Sequence, residues 1–384
     1  MAFRGRPFGL ARVREMTRLS VAFVVQGEGR GHMTQALALA RFLRDAGHEI
    51  TRVLVGVSPF RSVPDYFAHE IQAQVETFAA PTQVPDRDAR GLSVARTAAD
   101  ALRRLPRFVR SGWQIHRATK RADVVVNFLD LVGGLSRMVF RARAPGVAIA
   151  HNYVFLHPAL GAAPGSPLAR GLVMAYARLT AGGTSTKVAL SFGPLPPHHP
   201  ARLVVAPPLL RPGLERMSPR DDGHLLTYSL NPGYAAVVAE WHRRQQGVTV
   251  HCYVEGGRES LRAAPAEGFH AHALSAEGFL RHLEGCRAYV GTAGFESVCE
   301  ALYLGKPALL VPTAGQHEQT LNAWDAERAG AAVVGTYDDL DAFWAAPPVP
   351  PRMAVEEFRD WVRRAPEMLV GIVERAARAR GAPA

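Results

Sequence analysis

The sequence has few cysteines and no long apolar segment. Its 384 residues include only three cysteines, Cys252, Cys286 and Cys299, which are odd in number and widely spaced. This pattern argues against a disulfide framework and a cysteine-ligated zinc site, and it is typical of a reducing compartment, so we expect a cytoplasmic protein. No run approaches the about 18 apolar residues of a membrane-spanning helix. Residues 1–18 carry arginines without the apolar centre of a secretory signal, and we expect a basic extension there.

Lysine is also scarce, although the chain is strongly basic. The formal net charge is +11, and all the cations except Lys120, Lys187 and Lys306 are arginines. A basic protein favours acidic partners such as nucleotides, anionic lipid surfaces or nucleic acid. The sequence lacks a zinc finger, an RNA-recognition signature and any regular alternation of aromatic and basic residues. Nucleic acid is therefore not expected as a partner.

The length of the chain and its pattern of elements predict two α/β domains. Residues 19–25 form an apolar strand, followed by a glycine-rich loop, a helix and a second strand over 49–56. This order is Rossmann-like, but the loop reads G-x-G-x-G-H, and no acid follows the second strand where an NAD ribose requires one. The strand–helix alternation begins again near residue 225, after a proline-rich stretch.

We therefore divide the chain at that proline-rich stretch. The predicted parts are an extension over residues 1–18, a first domain over 19–207, a linker over 208–219, a second domain over 220–350, and a terminal segment over 351–384 with one helix over 355–380.

Residues 291–323 are the most informative stretch, with the sequence GTAGFESVCEALYLGKPALLVPTAGQHEQTLNA. A short strand precedes a small-residue turn, a helix follows over about 295–304, and the next strand covers 308–311. The first turn of a helix has free N–H groups and about half a positive charge, and glycine lets a phosphate approach the backbone. The stretch predicts an anion site. Glu296 suits the helix dipole, whereas Glu300 is placed to bind the vicinal hydroxyls of a ribose.

This stretch resembles the donor-binding box of GT-B glycosyltransferases. It is similar to the plant and macrolide enzymes of family 1 and to the lipid II N-acetylglucosaminyltransferase of family 28. The resemblance implies that Gly294 and Ser297 hold the diphosphate, that Glu300 binds the ribose, and that Glu318 and Gln319 bind the sugar. One position departs from the plant box, which begins with histidine where this chain has Thr292. The bacterial members also lack that histidine.

The glycine-rich first loop also resembles the corresponding loop of the GT-B family. The resemblance implies that Gly29 and Gly31 face the cleft between the domains, near the acceptor, and that His32 is the general base. A base placed in this way contributes about 10²–10⁴ in rate. His32 can also simply pack at the start of its helix. His151, after another strand, is the second candidate for the base.

Three further positions leave alternatives open. Asp130 ends a buried strand and either orients the base or caps the next helix. Arg211 resembles an arginine near the donor diphosphate, but it is equally compatible with an ordinary linker. Ser229 begins a turn that could touch the phosphates. The Asp86-Arg87-Asp88 cluster lies in a loop, where a solvated charge cluster is favoured over a metal site.

Residues 92–121 form a basic segment, predicted to be mostly helical and interrupted at Pro106 and Gly112. Apolar side chains alternate with arginines along it. Such a segment can lie on an anionic membrane, or it can be a solvated helix face.

Together these features predict a GT-B fold, with two Rossmann-like domains facing each other across a cleft and a C-terminal helix crossing back. The resemblance implies inverting transfer of a sugar from a UDP donor to an acceptor hydroxyl. Gly294, Ser297 and the helix N-terminus are expected to stabilise the departing diphosphate as a metal ion does elsewhere, so we expect neither a metal ion nor a cofactor. A non-hydrolysing UDP-sugar 2-epimerase and a non-catalytic nucleotide-sugar binder are the alternatives.

Overall fold

A computed structural model describes residues 18–59, 62–82, 84, 94–161, 163–229, 232–261 and 266–379. The first sheet has seven parallel strands in the order β3-β2-β1-β4-β5-β6-β7. They are β1 (Ser20–Gln26), β2 (Glu49–Val57), β3 (Val75–Ala79), β4 (Val124–Phe128), β5 (Gly146–Ala150), β6 (Thr186–Leu190) and β7 (Leu203–Ala206). Parallel sheets are covered on both faces, which explains why β4 and β5 are completely buried apolar runs.

The second sheet has six parallel strands in the order β10-β9-β8-β11-β12-β13. They are β8 (His224–Ser229), β9 (Thr249–Val254), β10 (Phe269–His272), β11 (Cys286–Gly291), β12 (Ala308–Leu310) and β13 (Val333–Val334). In both sheets the chain starts in the middle, builds outward on one side, and then returns to the other side of its first strand. The strand order therefore reverses between β1 and β4 and between β8 and β11, where open α/β sheets bind ligands.

Twelve α-helices connect and cover the strands in the described part of the chain. They are α1 (Arg30–Asp45), α2 (Asp65–Glu70), α3 (Val94–Thr119), α4 (Leu131–Val139), α5 (Pro167–Thr180), α6 (Pro232–Arg243), α7 (Ala276–Gly285), α8 (Phe295–Tyr303), α9 (His317–Arg328), α10 (Leu340–Ala345), α11 (Arg352–Arg363) and α12 (Ala365–Arg378). None of the helices in the described residues is long and apolar enough to cross a membrane.

The C-terminal segment returns to the first sheet, as predicted, but as two helices. The single helix expected over 355–380 is wrong because Pro366 lies in the first turn of α12, where its missing N–H ends the preceding helix. α12 packs on α1, β4, β5 and β7. His48 Nε2 lies 3.1 Å from a buried Glu374 oxygen, and Trp361 donates to the Ser191 carbonyl at 2.9 Å.

Two other local predictions need comment. α3 continues through both Pro106 and Gly112, so the expected interruption is wrong; the helix is largely exposed there, and water can satisfy the carbonyl that proline leaves unpaired. The Asp86-Arg87-Asp88 cluster and most of the N-terminal extension lie outside the described residues.

Candidate active site

The carboxyl ends of the two sheets face each other across a cleft of about 850 Å³. Loops after β1, β4, β8 and β11, the four strands at the two switch points, contribute to its walls. The predicted site residues on these walls are Gly29, Gly31, His32, Asp130, His151, Arg211, Gly294, Ser297, Glu318 and Gln319. Residues that lie up to 290 positions apart in the sequence are thus gathered around one cavity, because both domains present the same edge of their sheets.

Three helix N-termini open into this cleft without a side-chain cap. They are the starts of α1 at Gly29, of α8 at Gly294 and of α9 at Gln316. Each leaves first-turn N–H groups and the positive end of a helix dipole facing the cavity. This arrangement is suited to an anion of more than one negative charge, such as a diphosphate.

The α8 N-terminus has an open approach. A Cβ atom built on Gly294 would meet nothing closer than the Ser297 Oγ at 3.7 Å, so there is room for a ligand directly against the backbone. The Tyr289 hydroxyl donates to Ser297 Oγ at 3.0 Å, and the Ser297 hydroxyl donates to the Gly294 carbonyl at 3.2 Å. Tyr289 therefore fixes the serine at the mouth of the turn, in front of the free N–H groups.

The start of α9 is fastened to the same turn. Gln319 Oε1 accepts from the Thr313 N–H at 2.8 Å, and Asn322 Nδ2 donates to the Ala293 carbonyl at 3.1 Å. Glu318 and Gln319 line the cleft, where the resemblance expects sugar contacts. α9 itself was not predicted as a helix.

Glu300 and Ser229 lie behind the wall of the cleft rather than on it. Glu300 is completely buried, and its Oε1 lies 3.2 Å from Arg211 Nε. Burial raises the pKa of Glu300 to about 7, and the Arg211 guanidinium opposes the rise. Arg211 also lies over the Phe279 ring at 5.4 Å and lines the cleft. The contact of Glu300 with a ribose stays a prediction, and it requires Arg211 to move aside.

His32, in the first turn of α1, is linked to Glu296 across the cleft through the side chain of Gln35. Its Nδ1 lies 3.3 Å from Gln35 Oε1, and Gln35 Nε2 donates to a Glu296 oxygen in the second domain. Because the amide nitrogen of Gln35 is used on the carboxylate, its oxygen must accept from His32. Nδ1 of His32 is therefore protonated in the neutral ring, and Nε2 carries the lone pair.

The absence of a side chain at Gly31 makes room for this same contact. A Cβ atom there would collide with the Glu296 carboxylate. Sequence reasoning assigned Glu296 only to the helix dipole and overlooked Gln35, since no local motif connects the two residues. The repeated glycines of the first loop were the one signal in the sequence that another part of the chain approaches this loop closely.

Asp130 is a helix cap in the structure. Its Oδ1 accepts from the Gly133 N–H at 2.6 Å at the start of α4. The preceding Leu129 has a φ of 54°, which turns the chain into this cap. Burial raises the pKa of Asp130 to about 7. In the described part of the chain no hydrogen bond joins Asp130 to His32, so the structure supports the capping alternative.

His151 is packed between the two domains. Its ring stacks on Phe295 with the centroids 3.9 Å apart, and its Nδ1 donates to the Leu190 carbonyl at 2.8 Å. Its Nε2 lies 3.7 Å from an Asp325 oxygen, and burial lowers the pKa of the imidazole. A ring that is only 2% exposed and held on both faces is less suited to meet an acceptor than His32, which is partly exposed in the cleft.

Solved structures with the same fold include proteins described as glycosyltransferases. The glycosyltransferase of kitacinnamycin shares 18% identity at a TM-score of 0.60, over 94% of this chain and 99% of the other. MurG from Acinetobacter baumannii shares 16% at 0.52, over 93% and 99%. UGT89C1 from Arabidopsis thaliana, complexed with UDP-L-rhamnose, shares 14% at 0.60, over 94% and 100%. At these identities the likeness establishes the predicted GT-B fold.

A family model then gives a narrower assignment. The model for glycosyl transferase family 1 matches residues 135–345, which is more than half of the chain. The chain belongs to glycosyl transferase family 1, and it is a glycosyltransferase, as the donor-box resemblance predicted. A search of curated protein sequences found no significant match.

Proposed function

We propose that the protein transfers a sugar from a UDP-sugar to an acceptor hydroxyl with inversion at the anomeric carbon. The observation that carries this proposal is the convergence of three uncapped helix N-termini, α1, α8 and α9, on one cleft that also holds the donor-box residues. The solved structures of UGT89C1 contain UDP or UDP-L-rhamnose, which is compatible with a uridine donor here.

The diphosphate is placed at the α8 N-terminus, against Gly294 and Ser297. There the first-turn N–H groups neutralise the charge that develops on the departing phosphate, as preorganised donors do in a water-poor site. The sugar lies toward Glu318 and Gln319. We expect this site to work without a divalent cation or a cofactor.

The base is His32. Its Nε2 takes the proton of the acceptor hydroxyl while the acceptor oxygen forms a bond to the anomeric carbon, and the bond from that carbon to the phosphate oxygen breaks with its electron pair going to UDP. Gln35 and Glu296 hold the ring in the tautomer that leaves Nε2 unprotonated. Glu296 is a positioning residue, and it comes from the domain that binds the donor.

The test compares donor binding with turnover. A thermal-shift screen of nucleotide sugars identifies the donor, because a bound ligand raises stability by mass action. We expect His32→Ala to bind that donor normally and to lose about 10²–10⁴ in kcat. The exposed His69 on α2 provides a matched control, His69→Ala, with wild-type turnover.

Two results would overturn parts of this proposal. Full activity in His32→Ala would show that His32 is not the general base. Activity that EDTA abolishes and manganese restores would show that a metal, rather than the amides near Gly294, neutralises the diphosphate.

The acceptor side of the cleft suggests a lipid surface nearby. Exposed apolar side chains occur on α3, α4 and α5, which contact one another in that order. They are Leu102, Leu105, Val109 and Trp113 on α3, Leu135, Met138 and Val139 on α4, and Leu168, Leu172 and Leu179 on α5. Exposed arginines on α3, among them Arg103, Arg107 and Arg110, are interleaved with them. We propose peripheral contact of this surface with an anionic membrane on the cytoplasmic side.

Co-sedimentation with vesicles tests the membrane contact. We expect binding to phosphatidylglycerol vesicles, little binding to phosphatidylcholine vesicles, and loss of binding in Leu105→Ser/Val109→Ser. Val349→Ser, an equally exposed apolar residue of the second domain, should bind like the wild type. Equal binding by all three proteins would refute the surface assignment and leave the transferase proposal untouched.

A further inference from the structure

Histidines are concentrated on one face of the second sheet, away from the cleft. They are His224 on β8, His251 on β9, His270 and His272 on β10, and His282 on α7. Side chains two positions apart on a strand point to the same face, and the parallel register pairs His270 with His251. α7 covers this face, since its His282 ring stacks on the His251 ring with the centroids 3.7 Å apart.

Three of these imidazoles approach one another closely enough to share an ion. One ring nitrogen from each of His251, His272 and His282 lies within 4.8 Å of the other two. His251 Nδ1 and His272 Nε2 are 2.9 Å apart. Within the residues that the structure describes, this is the one group of three or more potential ligands with that spacing.

The surroundings of the three rings disfavour the protonated form of imidazole. Burial and the neighbouring histidines lower the pKa of His251 to about 3 and that of His282 to about 4. The pKa of His272 is also lowered, first by burial and then by His270. A metal ion binds the lone pair of a neutral imidazole nitrogen.

We propose that His251, His272 and His282 bind a divalent transition-metal ion, with Zn²⁺ as the expected species. Imidazole nitrogen suits zinc, and three histidines leave a fourth tetrahedral position for water. Metal–nitrogen bonds of about 2.0–2.1 Å place the nitrogens about 3.3 Å apart. The present spacings of 2.9 Å and up to 4.8 Å reach this value by side-chain rotations. In the metal-free protein either His251 or His272 donates a hydrogen bond to the other. When the metal binds, that ring carries its proton on its other nitrogen and stays neutral.

Tyr253 supports the site from behind. Its hydroxyl lies 2.8 Å from His282 Nδ1, and this contact orients the ring and leaves Nε2 for the metal. Outer partners of this kind typically contribute about 10–100-fold to metal affinity. The positive Arg281 guanidinium acts electrostatically on His282, and it is paired with Glu277 at 2.8 Å.

Cobalt titration of the untagged full-length protein tests the site without using activity. We expect one Co²⁺ per chain with the intense visible bands of tetrahedral coordination, and displacement of those bands by Zn²⁺. His251→Ala and His282→Ala should lose the bands, Tyr253→Phe should bind about 10–100-fold more weakly, and the exposed-histidine control His69→Ala should match the wild type.

The proposal is overturned if the wild type gives no tetrahedral spectrum, or if His251→Ala binds cobalt like the wild type. Circular dichroism establishes that each variant is folded. If His251→Ala does not fold, His272→Gln on the edge strand β10 replaces it with the same expected loss. None of these outcomes depends on donor binding or transfer, so they leave the proposed function separately testable.

Discussion

Replacing Arg211 by methionine should destabilise the protein by an amount that grows with pH. Glu300 is completely buried, and burial raises its pKa from 4.5 to about 7 although Arg211 opposes the rise. A carboxyl with a higher pKa in the folded state binds more protons when folded, so stability falls as the pH rises from the unfolded to the folded pKa. In the wild type this loss ends near pH 7. Without the guanidinium the pKa of Glu300 is higher, and the loss continues.

The magnitude follows from the length of that continuation. At about pH 6 Glu300 is mostly protonated in both proteins, and the difference from its ionisation is close to zero. At pH 9, about two units above the wild-type pKa, the difference has an upper limit of roughly 2.7 kcal/mol at 1.36 kcal/mol per unit. Loss of the guanidinium from the Phe279 ring adds about 0.5–1 kcal/mol at every pH.

Urea unfolding followed by tryptophan fluorescence at pH 6, 7.5 and 9 measures this effect. The double variant Arg211→Met/Glu300→Gln should lose the additional pH dependence because no carboxyl remains to titrate. Arg352→Met removes an exposed arginine that pairs with Glu356, and it should leave the unfolding midpoint nearly unchanged across the range. A destabilisation by Arg211→Met that is the same at pH 6 and pH 9 would refute the reasoning.

Three further variants test individual contacts. Gln35→Leu should lower kcat by up to about 100-fold in steady-state assays, because His32 loses the partner that fixes its tautomer. Trp361→Phe should lower the free energy of unfolding by about 1–3 kcal/mol in urea titrations, because the buried Ser191 carbonyl loses its donor. Asp130→Asn should keep the α4 cap, and assays at pH 7.5 should show transfer within a few-fold of wild type.

Each of these three has a contradicting result. A wild-type kcat in Gln35→Leu would show that the Gln35 amide does not position His32. A Trp361→Phe protein as stable as the wild type, and as stable as the half-exposed control Trp113→Phe, would mean that the indole contact contributes little. A 100-fold loss in Asp130→Asn would show that the carboxylate acts on the base, as the family resemblance implies.

The sequence predicted those parts of the site that are encoded locally. The turn at Gly294 and the loop at Gly29 are each a strand, a glycine turn and a helix within about ten residues, and apolar strands flanked by glycine have few alternative structures. The loop at Gly29 follows β1 and the turn at Gly294 follows β11. Each of these strands borders a switch point, so the two local predictions were sufficient to place the cleft. The start of α12 was also encoded locally, by Pro366, and that signal was overlooked.

The parts that were not predicted join distant positions. Gln35 and Glu296 are 261 residues apart, and their contact depends on how the domains face each other. Arg211 in the linker lies against Glu300, and the pattern of apolar residues in the sequence does not show this contact. The three clustered histidines come from β9, β10 and α7, with none of the short spacings of metal motifs. α9 was missed because polar side chains fill most of its first turn.

The position of Glu296 links the two halves of the proposed reaction. It lies in the first turn of α8, whose free N–H groups are expected to hold the leaving diphosphate, and its carboxylate reaches Gln35 and, through it, His32. A diphosphate bound at α8 repels that carboxylate and favours its position against Gln35, away from the phosphates. Donor binding and orientation of the base therefore favour the same closed arrangement of the domains. If the cleft opened, Glu296 would no longer hold Gln35, and Gln35 would no longer hold His32 in the tautomer with an unprotonated Nε2. Proton removal would then be restricted to the state in which the donor is in place.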